Sequence, residues 1–128
     1  MSKKIDDATK DKINQIFDRV AGPQSVETWS FLKKQSDREE IPDEDKLRGN
    51  KDWKEIMNVW WRAKEDFKEA HDKLDLNKMI KKLEQMISCF TGLIKVAEKA
   101  EASTMKGRLE HLRPSLVKAY DDLENIKK

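Results

Sequence analysis

One cysteine, four glycines, three prolines and two histidines are all that 128 residues offer of the types that staple, break or catalyse. The lone Cys89 rules out an intrachain disulfide and fits a reducing compartment. Gly22, Gly49, Gly92 and Gly107 stand alone, so there is no glycine-rich phosphate loop. A di-iron bundle needs Glu three residues before each inward histidine, but Lys68 and Arg108 hold those places ahead of His71 and His111. No apolar run approaches the roughly 18 residues of a membrane span. The opening "MSKKIDDATK" is too polar for a secretory signal, and a cytoplasmic location is expected. Charge of one sign is also lacking: 27 Lys and Arg stand against 25 Asp and Glu. A net charge of +2 gives no general case for nucleic acid as a partner. The basic residues of the last segment, Lys106, Arg108, Arg113 and Lys118, are interrupted by Glu110, Asp121, Asp122 and Glu124.

What is present is charge and helical rhythm. The charged fraction is 41% against 37% apolar, a mixture that with so few breakers points to long surface helices in one domain over 1–128. Ile13, Ile16, Phe17 and Val20 recur at helical spacing until Gly22-Pro23, predicting a first helix over 6–20. Ser25 can cap a short second helix carrying Val26, Trp29 and Leu32. Residues 35–51 lack periodicity and read as an acidic loop, with a short turn of helix at Asp43 to Leu47 and with Ile41 and Leu47 as pins to the body.

From Trp53 the signal strengthens. Trp53, Ile56, Trp60, Ala63, Phe67, Ala70 and Leu74 alternate steps of three and four, a heptad stripe without a fault. The same rhythm returns from Met79 to Ala100 and from Met105 to Ile126, predicting helices over 52–74, 77–101 and 104–127. The middle stripe, widened by Ile80, Ile87 and Ile94, belongs to the most buried helix. The unbroken phase across Pro114 predicts a kinked continuous last helix. Short connections force neighbours to run antiparallel. The expected fold is all-α: an antiparallel four-helix bundle with a split N-terminal helix and three long heptad-patterned helices. The ending "LENIKK" is still periodic, which leaves room for a longer protein of which this is one domain.

The stretch "IMNVWW", Ile56 to Trp61, puts five apolar side chains in six positions, more than one helix face can hold. In the heptad frame Ile56 and Trp60 are core, Met57 and Trp61 lie on one flank and Val59 on the other. Either the second helix, with Trp29, Phe31 and Leu32, and the loop cover these flanks, or Trp61 with Met57 or Val59 anchors a partner. The acidic strip "DREEIPDED", with Asp37, Glu39, Glu40, Asp43, Glu44 and Asp45, is a second candidate surface, suited to a basic partner. His71 and His111 read as surface residues, His71 with Asp75 one turn later, and Cys89 as a small buried hydrophobe. No catalytic, cofactor or metal residue is expected.

The order "WWRAKEDF" followed much later by "LRPSLVKAY" resembles, from Trp60 to about Ile126, helical N-terminal regions that precede nucleotide-binding domains in fungal NLR-type receptors. That resemblance implies a signalling or cell-death helical domain that oligomerises or touches membrane. The residues themselves favour a non-enzymatic protein-protein interaction module, adaptor or regulatory, with self-association as one possibility. Membrane contact belongs to the alternative alone.

Overall fold

Side chains repeating every three to four residues can be hidden from water together only if the chain coils into helices and the stripes face one another. In the computed structural model, which describes residues 6–21 and 43–128, this occurs in six helices with no strand among the described residues. They are α1 (Asp7–Ala21), α2 (Glu44–Leu47), α3 (Lys51–Asp72), α4 (Leu76–Lys99), α5 (Ser103–His111) and α6 (Arg113–Lys127). The predicted second helix and residues 35–42 of the predicted loop, with Trp29, Phe31, Leu32 and Ile41, lie outside the described residues. Within 43–51 the expected turn of helix is present as α2, and Leu47 is fully buried.

Polar side chains start α1, α3 and α4. Asp6 accepts from the Thr9 amide, Asn50 from Trp53 and Asp75 from Lys78, each satisfying an amide with no partner inside its own helix. The Thr9 hydrogen bonds hold the Asp6 carboxyl below its ordinary pKa.

Both long helices end in a Schellman turn. After α3, the Asp75 amide reaches the Ala70 carbonyl and the Leu74 amide reaches His71; after α4, Ala102 reaches Ala97 and Glu101 reaches Glu98. Each turn needs a left-handed residue, and this chain uses Leu74 (φ 55°) and Glu101 (φ 58°) where glycine is usual. The heptad stripe put Leu74 on the core line. Its side chain is instead 48% exposed, because the left-handed turn swings it off the helix axis.

α4 is the centre. Nine of its side chains are buried, and it packs against α1, α3, α5 and α6. On its seam with α3 Gly92 faces Ile56, and an added Cβ there would sit 3.1 Å from Ile56 Cδ1. α1 lies along α6 and α4 and also meets α3, where the Phe17 and Phe67 rings stack at 4.5 Å and 7°. Side chains of all six helices join one hydrophobic cluster.

The expected continuous last helix is interrupted at Leu112. Pro114 has no N–H to donate and its ring crowds the carbonyl four residues back, so the chain restarts there as the first turn of α6. Leu112 itself stays in the right-handed helical region. That is why the phase survives: Met105 and Leu109 before the break and Leu116, Ala119 and Leu123 after it are all buried.

Leucine in a left-handed turn costs about 1–2 kcal/mol relative to its helical conformation. Leu74→Gly should therefore stabilise the fold by about 1 kcal/mol, read as a higher urea midpoint. Leu74→Ala, which keeps the Cβ, should bring no such gain.

Candidate interaction surface

The "IMNVWW" stretch lies in the first half of α3. Here the register differs from the strict heptad: Met57 is only 4% exposed and Ile56 is half-buried on the α4 side. The space beside Gly92 receives the Ile56 side chain, and Met57 is buried along with Trp53 and Trp60. Met57 as a surface anchor is therefore corrected; it is a core residue. Val59 is 40% exposed and Trp61 half-buried. Two residues apart on a helix means roughly 200° of rotation, so Val59 and Trp61 occupy opposite flanks and do not form one patch.

Trp61 carries a neighbour that the apolar pattern concealed. Lys64 is buried, and its ammonium sits 4.7 Å from the centroid of the Trp61 ring and 5.9 Å from that of Trp60. A cation over an indole face is attracted by the ring quadrupole, the more so when both are shielded from water. Lys64 follows Trp61 by three residues and Trp60 by four, a spacing that already places it over both rings. The Trp60 and Trp61 rings are themselves 5.9 Å apart. The outcome is an amphipathic edge: a partly covered indole with a fixed positive charge on its face.

The acidic strip divides. Asp37, Glu39 and Glu40 lie outside the described residues. Asp43 is turned inward by a left-handed backbone (φ 56°), and its Oδ2 accepts the Met105 amide at 3.0 Å. Ala102, at the start of α5, has no side-chain oxygen to cap the helix, so Asp43 supplies one from 62 positions away. Lys46 reinforces the same corner by donating to the Glu101 carbonyl at 2.9 Å, and Leu47 fills the space beneath. Glu44 pairs with Arg48. Asp43 as a docking residue is thus corrected to a helix cap, while Asp45 remains exposed.

Groups capable of chemistry are turned to structural ends. Cys89 is buried, and desolvation pushes its thiol up to about 11, well away from a reactive thiolate at neutral pH. The half-buried His71 does not pair with Asp75, which caps α4; its Nε2 lies 3.1 Å from Asn14 Oδ1 and ties α3 to α1. His111 is exposed at the end of α5.

Asp122 is a buried carboxylate that the sequence reading passed over. Lys118 of its own helix lies 3.2 Å away and Lys12 of α1 3.5 Å away. Burial works to raise its pKa, but the Lys118 and Lys12 ammonium groups outweigh burial and hold the carboxyl below its ordinary value. Lys118 at four residues' distance was the available signal.

A cleft lined by Arg19, Val20, Trp60, Phe90, Leu112 and neighbours has an accessible volume of about 10 Å³, room for one water and not for a metabolite. Among the described residues no group of three His, Cys, Asp or Glu is placed to hold a metal ion, and no helix is long and apolar enough to cross a membrane. Comparison of the chain with protein-family models, with curated proteins and with solved structures finds no match. The likeness to fungal NLR-type N-terminal regions accordingly rests on the two quoted stretches alone.

Asp43→Ala should cost about 1 kcal/mol in denaturant unfolding by uncapping α5, and Asp43→Asn, which retains an acceptor oxygen, a smaller amount. The Asp122 ion pairs give a pH signature. A carboxyl with a depressed folded pKa contributes stability above its unfolded value, near 3.8, and loses it as pH falls through the folded pKa. Asp122→Asn should therefore be less stable than the parent at neutral pH. Thermal melts should show this gap closing once the pH falls below 3.8.

Proposed function

We propose that the protein is a non-enzymatic helical interaction module, adaptor or regulatory, that acts in the cytoplasm by binding another protein. Its scaffold in this reading is an antiparallel four-helix bundle with α1, α3, α4 and the α5–α6 pair as its staves. One observation carries the proposal: among the described residues, several of the side chains able to do chemistry are engaged in packing or in holding helices together. Asp43 caps α5, Asp122 links α6 to α1, His71 meets α1, and Cys89 is a buried thiol. Surface is what is left to act.

On that surface the Trp61 edge of α3 fits a hot spot best. Tryptophan is the residue most enriched among interface anchors, and a partly covered ring gains from losing its remaining water. The Lys64 ammonium lies over the same ring and is buried there, so it holds the indole in place. The mixed surface charge gives nucleic acid no continuous basic track to follow. The signalling or cell-death alternative, in which helices open onto a lipid surface, requires α4 to withdraw its nine buried side chains from the shared core. That cost favours the interaction-module reading.

Substitutions at the two adjacent tryptophans separate core from anchor. Trp60→Ala should cost about 3–5 kcal/mol through lost core volume, and Trp61→Ala clearly less. Affinity capture from the native host should lose its partner with Trp61→Ala while the melting temperature changes little. Undiminished capture by the folded Trp61→Ala chain would overturn the assignment of this edge.

A further inference from the structure

α6 buries one stripe, Leu116, Ala119 and Leu123, and turns another outward. On the outer stripe Arg113, Val117, Tyr120 and Glu124 follow at steps of four, three and four, the spacing of a heptad seam. Val117 is 52% exposed and Tyr120 45%. Two large apolar side chains thus stand together in water at the middle of the stripe, with a cation toward its N-terminal end and a carboxylate toward its C-terminal end. Arg113 is exposed and makes no ion pair with a described residue. Glu124 is half-buried, 3.2 Å from Lys127 of its own helix.

This order is self-complementary when reversed. Placed antiparallel on a second α6, with a two-fold axis between Lys118 and Ala119, Arg113 faces Glu124 of the other copy and Val117 faces its Tyr120. Symmetry repeats both pairs. The parallel arrangement would instead set arginine on arginine and glutamate on glutamate.

We infer that the outer stripe of α6 is a docking surface for a second copy of this chain, paired antiparallel about a two-fold axis. Charge complementarity selects that occupant: an isologous interface must match itself on reversal, and this stripe does so in both its apolar and its charged positions. Two apolar side chains per copy fall well short of what a permanent dimer buries, so the association is weak and concentration-dependent. Such a contact suits a module whose assembly is set by local concentration.

The inference rests on reading the chain as an interaction module and names one partner for it. Its test is separate, because it concerns α6 and not the Trp61 edge of α3. Sedimentation velocity of the full chain, from micromolar to millimolar concentration, should show a reversible monomer–dimer equilibrium. Arg113→Glu and Glu124→Arg should each weaken dimerisation by about tenfold or more, since each sets like charges opposite one another twice. Combined in one chain, the two reversals should restore it. A chain that stays monomeric to millimolar concentration would overturn the inference. So would a dimer indifferent to both reversals, or a double variant no better than the singles. None of these results would touch capture of a different protein through Trp61.

Discussion

α4 carries apolar side chains over roughly half its circumference, and a helix so patterned has to be enclosed on several sides before it is stable in water. α1, α3, α5 and α6 all pack against α4, and α1 packs on α6 as well. Enclosure explains features that look unrelated in the chain. Gly92 lies where the Ile56 side chain of α3 packs onto α4, and an added Cβ there would meet Ile56 Cδ1 at 3.1 Å. Leu112 and Pro114 interrupt the last helix without shifting its apolar phase, so its stripe stays buried on both sides of the break.

Enclosing α4 creates corners, and the corners absorb the polar chemistry. At the α4–α5 turn the chain runs through a left-handed Glu101 and begins α5 at an alanine that cannot cap it. Asp43, Lys46 and Leu47 arrive from the acidic segment to satisfy an amide, a carbonyl and an apolar gap together. Asp122 does the equivalent between α6 and α1, where two ammonium groups make burial of a carboxylate affordable. A cluster of acids that suggests docking in one dimension is, in part, internal fastening in three.

In the proposed reading function lies outward, on two edges of the enclosed core. The Trp61 edge and the outer stripe of α6 differ in kind. The first is a single half-buried aromatic beside a buried cation. The second is a short seam with its own mirror order of charge, suited to its like.

Helix identity was legible in the sequence because the three-and-four spacing of Trp60, Leu83 or Leu109 is a local property of the chain, imposed by helix geometry on any side chain that must be dry. α1 and the middle helix could be read to within a residue or two for the same reason, as could the burial of Cys89 and Trp60 and the pinning role of Leu47. How deeply each of two adjacent apolar residues is buried was not local: Ile56 packs against Gly92, 36 positions away, and is half-buried, while Met57 is 4% exposed. The fate of Leu74 depended on a backbone turn that leucine rarely adopts, for which its side chain gives no signal. Asp43 became a cap and Asp122 a bridge only once distant segments met, because a hydrogen bond 62 residues long in sequence has no periodicity to announce it. Local pattern determined that this chain is helical and where its water-avoiding faces run. The tertiary structure decided which polar groups those faces would enclose, because that choice is made by whatever neighbour the packing brings within reach.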